Sequence, residues 1–279
     1  MSLKMTCVVN SKWTIKQLIL NSQGERLETK SLLQHILNLS PAQLIMYSDY
    51  GLSHLEYTRF MKLLQKMIAG MPLSYILGYR EFYSRLFKVN AATLVPRHET
   101  ELLVDEILKL ASNSSRILDL GTGSGCIGIT CKLENPSLEV VATDYYLNTL
   151  AVAKQNAKIL GAKVEFRLSN WYVNIMGKFD LIVSNPPYIA KTDQHLADLS
   201  YEPLHALTDF ADGLACLTQV VAGASHYLKP GGMILLEHGY LQGRDVYALC
   251  AKNGFKNITS LQDYSGHDRI TFAQIANNT

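Results

Sequence analysis

The chain has 279 residues, 48% of them hydrophobic and 18% charged, with a formal net charge of +2. This composition suits a soluble globular protein long enough for two domains, and no apolar run approaches the ~20 residues that a membrane span requires. The charge is uneven: residues 1–95 carry 11 Lys and Arg against 5 Asp and Glu, and residues 96–279 carry 15 against 19. The front part therefore suits an acidic partner or RNA, although solvated helix faces give the same imbalance, and the acidic rear part is a poor nucleic-acid channel.

The five cysteines, Cys7, Cys126, Cys131, Cys216 and Cys250, are odd in number and lack C-x-x-C spacing. They read as buried thiols in a reducing cytoplasm rather than as disulfides or zinc ligands. The start lacks the charged-then-apolar order of a signal peptide. Met1 to Lys4 reads as an alternative start ahead of Met5.

In chain order, the spacing of Trp13, Ile15, Leu18 and Ile19 predicts a helix to Ser22, and a second runs from Arg26 to Leu39. Ser40-Pro41 is an N-cap followed by proline at the first helical position, and Ser53 with Glu56 forms a capping box. The helix after Ser53 carries Tyr57, Phe60, Leu63, Leu64, Met67 and Ile68 and stops at Gly70, with Pro72 beyond. Residues 1–78 are thus expected to form a small helical bundle.

Arg80 to Asn90 has no helical stripe and predicts a β-hairpin, placed here as a linker over residues 79–95. A helix begins near Thr100. From Arg116 strands and helices alternate, as in a parallel sheet with crossover helices over residues 96–279. Strands are expected at Arg116–Leu120, Glu139–Thr143, Lys163–Leu168, Lys178–Ser184 and Met233–Glu237, with two later ones near Lys256–Leu261 and Arg269–Ile275. Helices are expected after Gly125, around Leu147–Leu160 and around Leu214–Leu228, and Tyr227-Leu228-Lys229-Pro230-Gly231-Gly232 reads as a helix stop and turn.

The first of these strands runs into Gly121-Thr122-Gly123-Ser124-Gly125 and then a helix. Glycines permit a tight turn and close backbone approach to a ligand, and the helix start offers free N–H groups. Asp144 ends the next strand, where a carboxylate can grip two ribose hydroxyls. Together they point to a nucleoside-containing ligand. Gly123-x-Gly125-x-x-Gly128 also fits a dinucleotide fingerprint, but nothing marks a hydride acceptor site. Trp171, beside Asn170 after the third strand, stands either against an adenine ring or in the core.

Phe179 to Ser184 is a buried strand that ends in Asn185-Pro186-Pro187-Tyr188. Each proline fixes φ and removes a donor, and the residue before a proline is held extended. Asn185 is therefore held stiffly at the carboxyl end of a strand, where α/β sheets bind ligands. Its side-chain oxygen and the Pro186 carbonyl form a rigid acceptor pair for an incoming NH₂ group, and Tyr188 offers a flat face. The plain alternative is a strand ended by a proline turn beside a packed tyrosine.

Taken together these stretches resemble the class I S-adenosylmethionine-dependent methyltransferases, whose Asn-Pro-Pro-Tyr version methylates planar NH₂ groups of adenine, guanine or glutamine. Pro72 to Gly78, Glu81-Phe82, Pro96-Arg97-x-Glu99-Thr100-Glu101, Glu202-Pro203, Leu236-Glu237-His238-Gly239, Gln242-Gly243, Asp263-Tyr264 and Asp268-Arg269 narrow the resemblance. They are similar to the release factor glutamine methyltransferases, the HemK or PrmC family, over nearly the whole chain.

The resemblance implies a Rossmann-like α/β domain with a seven-stranded, mostly parallel sheet behind a helical substrate-docking domain. It implies N5-methylation of the Gly-Gly-Gln glutamine of class 1 peptide chain release factors, in the cytoplasm, by a monomer. Gly121, Thr122, Gly123, Ser124, Gly125, Asp144, Trp171 and Asn185 would bind S-adenosylmethionine. Asn185, Pro186, Pro187 and Tyr188 would hold the glutamine, with Asn185, Pro186 and Tyr188 as the catalytic set. The runner-up is a methyltransferase acting on exocyclic amines of nucleic acid. Two positions depart from the family pattern: Asn170 stands where Asp is usual, and His98 where Pro is usual.

Overall fold

The computed structural model describes residues 13–22 and 26–276, so Cys7 and the Met1 to Lys4 stretch lie outside the described residues. The chain divides into two compact units, Met1–Gly78 and Tyr79–Thr279.

The first unit contains helices α1 (Ile15–Leu20), α2 (Arg26–Leu37), α3 (Pro41–Met46), α4 (His54–Ile68) and α5 (Leu73–Leu77). Three starts carry reciprocal capping boxes, at Thr14 with Gln17, Ser40 with Gln43 and Ser53 with Glu56, each satisfying two backbone donors of a first helical turn. The core gathers Ile15, Leu32, Leu33, Leu44, Leu52 and Phe60. α4 ends at Ile68, which is exposed rather than part of the buried stripe. Pro72 does more than follow a helix stop: it opens α5, which ends on left-handed Gly78.

The second unit opens with a hairpin of β1 (Tyr79–Phe82) and β2 (Arg85–Lys88). Its two-residue turn is Tyr83-Ser84, with φ of 50° and 58°. Such a turn normally takes Asn or Gly. Here the Tyr83 N–H donates to Glu101 at 2.9 Å and its hydroxyl to Asp105 at 2.8 Å, which anchors the strained corner. The hairpin placed as a linker groups with this unit: Phe82 and Phe87, edge-to-face at 5.9 Å, lie in its core beside Leu103, Val104 and Ile107. Phe87→Ala is expected to lower stability by about 3–5 kcal/mol, measured by urea unfolding, because it empties a fully buried aromatic site.

There follow α6 (Glu99–Leu110), β3 (Arg116–Leu120), α7 (Cys126–Glu134), β4 (Glu139–Asp144), α8 (Leu147–Leu160), β5 (Glu165–Leu168), β6 (Phe179–Ser184), α9 (Ala215–Ala224), β7 (Leu228–Glu237), α10 (Gly243–Lys252), β8 (Phe255–Gln262) and β9 (Asp268–Ile275). The sheet order is β5-β4-β3-β6-β7-β9-β8. The first five strands are parallel, and β9 pairs antiparallel with both β7 and β8. One face packs Leu118, Ile182 and Leu236 under Leu217 and Val221 of α9 and Val246 of α10. The other packs Ile117, Leu181 and Leu235 under α6, α7 and the hairpin.

β7 is longer than its sequence suggests. Lys229-Pro230-Gly231-Gly232 lies inside the strand, not in a turn before it, because the register with β6 shifts between Phe179 and Leu181 and absorbs the extra residues as a bulge. Gly231, at φ 74°, supplies the bend. Among the described residues, no helix is long and apolar enough to cross a membrane.

Candidate active site

The chain leaves β3 for β4 and β5 on one side, then returns to β6 on the other side of β3. That switch point opens a crevice at the carboxyl ends of the strands. Register sharpens this. Thr143, Leu120, Ser184 and Leu236 pair across four strands as one row. The residues one step further are Asp144, Gly121, Asn185 and Glu237. Parallel pairing thus aligns, side by side, four residues that lie between positions 121 and 237 of the chain.

The crevice is a cavity lined by Gly121, Thr122, Gly123 and Ser124, by Asp144, by Asn170 and Trp171, and by Asn185 and Pro187. Gly121, Gly123 and Gly125 have φ of 71°, 58° and 86°, conformations that only glycine adopts without strain. A Cβ on Gly123 would meet nothing within 4 Å, whereas one on Gly125 would lie 2.6 Å from Ile129 Cδ1 and 3.2 Å from Ala153 Cβ. Gly123 therefore borders open space, and Gly125, outside the cavity lining, lets α7 pack against α8. The loop is also tied from outside: Asn156 of α8 donates to the Ser124 carbonyl at 2.9 Å and to the Lys88 carbonyl at 3.0 Å.

Asp119, fully buried, accepts from the Thr122 hydroxyl at 2.6 Å and the Gly128 N–H at 3.1 Å. Burial pushes its carboxyl up to about 6. Asp144 accepts from the Gly123 N–H and the Tyr146 N–H, each at 3.0 Å. Burial raises its carboxyl, and those backbone donors oppose the rise. With one bond to each oxygen, the Asp144 carboxylate keeps lone pairs for a diol in the cavity. The Trp171 ring stands over the glycine turn, 3.8 Å from where a Gly121 Cβ would be; it lines the cavity and also packs on the core.

The Asn185 Nδ2 donates to Thr100 Oγ at 3.2 Å. Thr100 donates in turn to Glu237 at 2.7 Å, and the Tyr188 hydroxyl donates to the other oxygen of Glu237 at 3.3 Å. Pro186 is buried and outside the cavity lining. Tyr188 is also outside it; its ring packs on the core instead of offering a flat face to the cavity, and burial raises its hydroxyl. The Tyr188 carbonyl accepts from Gln242 at 3.0 Å, which braces the far end of the proline turn.

Sequence reasoning gave no role to Thr100, Glu237, Arg97 or Glu202. Arg97 borders the cavity and pairs with buried Glu202 at 2.6 Å, which also accepts the Val95 N–H at 3.0 Å. This clasp holds the segment before α6 to the loop before α9. His205 of that loop lies against Tyr146, the rings tilted by 40° with 3.9 Å between centroids, and both line the cavity. His98 stands at the start of α6, 71% exposed at its side chain and outside the cavity lining.

A family model described as the methyltransferase small domain matches residues 98–200, and one described as the PrmC N-terminal domain matches residues 11–78. The release factor glutamine methyltransferase of Neisseria gonorrhoeae is 42% identical over 258 residues, covering 91% of this chain and 94% of that protein. The chain belongs to the release factor glutamine methyltransferase family. A second relative of that name, from Aliivibrio fischeri, is 39% identical over 270 residues, covering 94% of this chain and 95% of that protein. Family likeness therefore extends through the helical unit as well as the sheet. A methyltransferase structure from Pyrococcus furiosus superposes with a TM-score of 0.54 at 17% identity, covering 78% of this chain and 98% of that one, and shows the shared fold.

Proposed function

We propose that the protein transfers a methyl group from S-adenosylmethionine to the side-chain nitrogen of the glutamine in the Gly-Gly-Gln motif of class 1 peptide chain release factors. The observation that carries this reading is the alignment of Asp144, Gly121 and Asn185 at one sheet edge. A ribose grip and the Asn185 end of an amide grip then face one cavity. The family's name supplies the substrate.

The cavity residues fit the cofactor. Asp144 suits the ribose diol, Gly121 to Ser124 allow close backbone approach, and Trp171 presents an apolar face beside Asn170. S-adenosylmethionine, when bound, supplies an electrophilic methyl group. The protein's task lies with the acceptor, because an amide nitrogen delocalises its lone pair into the carbonyl. Asn185 Oδ1 and the Pro186 carbonyl each accept one amide hydrogen of the substrate. They orient the nitrogen and stabilise positive charge developing on it. No side chain needs to remove the proton before transfer. Tyr188 braces the turn through its hydroxyl and carbonyl.

Residues 1–78 form the docking domain for the factor's body, and the excess of basic residues over 1–95 suits an acidic partner. Residues 96–279 hold the methyltransferase domain, and the hairpin ahead of them packs into its core. The substrate acts in translation, which places the protein in the cytoplasm. A nucleic acid substrate is disfavoured by the acidic balance of residues 96–279. The test is transfer from labelled donor to intact release factor, RNA and DNA in parallel. Label on the factor alone is expected; label on RNA or DNA and none on the factor would overturn the reading.

A further inference from the structure

The Asn185 amide must present its oxygen, not its NH₂, if it is to accept a hydrogen from the substrate. The two orientations have nearly the same shape, so something beyond packing has to choose between them. The chain of bonds behind the cavity does so. Glu237 is 1% exposed and ends β7 next to Asn185. As a carboxylate it only accepts, so the 2.7 Å contact with Thr100 uses the threonine's single hydroxyl proton. Thr100 then faces Asn185 with a lone pair, which only the amide NH₂ can satisfy, at 3.2 Å. The second Glu237 oxygen takes the Tyr188 hydroxyl at 3.3 Å. One carboxylate therefore holds both ends of the Asn-Pro-Pro-Tyr turn.

We infer that Glu237, acting through Thr100, is the positioning residue that fixes the Asn185 amide with Oδ1 toward the substrate, and that methyl transfer requires Glu237 as its carboxylate. The inference rests on the reading of Asn185 given above. Protonating Glu237 turns it into a donor toward Thr100, frees the threonine proton for Asn185 and permits the opposite amide orientation. The groups facing Glu237 are Thr100 and Glu99 of α6, Tyr188 after β6, Arg269 of β9 and Cys126 of α7. Arg269 favours the carboxylate, Glu99 opposes it, and burial is the largest influence, pushing the carboxyl up to about 7. Turnover is therefore full above that value and falls as pH drops through it.

The experiment measures kcat, KM for release factor and donor affinity from about pH 6 to 8.5 in the full-length protein and three variants. Thr100→Val is expected to lower kcat at least about tenfold with donor affinity unchanged, and Thr100→Ser to recover most of the loss. Glu237→Gln is expected to lose the acidic fall in kcat that the unsubstituted protein shows. If the Glu237→Gln profile keeps that fall, or Thr100→Val turns over normally, the relay is wrong. Should Thr100→Val not fold, the Glu237→Gln profile decides alone. Activity of the unsubstituted protein on the factor separates these outcomes from failure of the substrate assignment, in which no protein would transfer label.

Discussion

Asn185→Ala is expected to lower kcat for methyl transfer by about 10²- to 10³-fold, the loss typical of removing one preorganised electrostatic contact, while donor affinity changes little. The cause is specific to the reacting nitrogen. In the bound amide both hydrogens are acidic enough to hydrogen-bond but the nitrogen is scarcely nucleophilic. An acceptor placed on each hydrogen becomes more valuable as positive charge grows, so the contact is stronger in the transition state than in the ground state. Alanine leaves the Pro186 carbonyl but no second acceptor, and it leaves Thr100 without its Asn185 donor. KM should therefore move less than kcat. The proposed grip on the donor's ribose lies two strands away at Asp144, which is why calorimetric affinity for S-adenosylmethionine should survive. Normal turnover, or a loss seen only in donor binding, would contradict this assignment.

Asp144→Ala gives the complementary result: donor affinity falls by about 10²-fold, from loss of two charge-assisted hydrogen bonds, and kcat at saturating donor is largely retained. The carboxylate also anchors the turn, since the Gly123 and Tyr146 N–H groups both donate to it at 3.0 Å. Asp144→Asn keeps one acceptor and should lose less. Because burial raises this carboxyl, donor affinity should begin to weaken at a higher pH than an ordinary carboxylate would dictate as the solution is acidified. Titration calorimetry of both variants with S-adenosylhomocysteine checks this. Unchanged affinity in Asp144→Ala would remove the ribose grip.

Much of the fold is legible in the sequence because local signals agree with the tertiary result. The β3 strand Arg116–Leu120 and the α8 helix Leu147–Leu160 occupy the spans their patterns predict. A short, mostly apolar run ending at glycine and a long periodic segment ending at left-handed Gly161 leave little choice. The N-cap at Ser40 and the capping box at Ser53 are likewise local chemistry. Other features escape local reading. The turn at Tyr83-Ser84 carries no glycine, and its positive φ values are held by Glu101 and Asp105 from α6. The Pro-Gly-Gly of β7 reads as a turn because nothing local reveals the β6 edge that captures it. α10 begins on Gly243 without a side-chain cap, so no start signal marks it.

The site divides the same way. Gly121, Asp144 and Asn185 are visible as strand-end residues, and parallel pairing then sets them side by side. Thr100 and Glu237 sit in stretches that resemble the family, yet their contact joins residues 137 positions apart. Neither shows that bond until α6 is laid over the end of β7.

In the proposed mechanism, a rigid acceptor corner at Asn185 and Pro186 holds a carboxamide against the methyl donor. A crystal structure with S-adenosylhomocysteine and a peptide carrying the Gly-Gly-Gln motif tests it most directly. The glutamine amide should donate one hydrogen to Asn185 Oδ1 and the other to the Pro186 carbonyl, with its nitrogen facing the sulfur. A glutamine bound elsewhere, or Asn185 turned away from the sulfur with its NH₂ toward the peptide, would contradict the account.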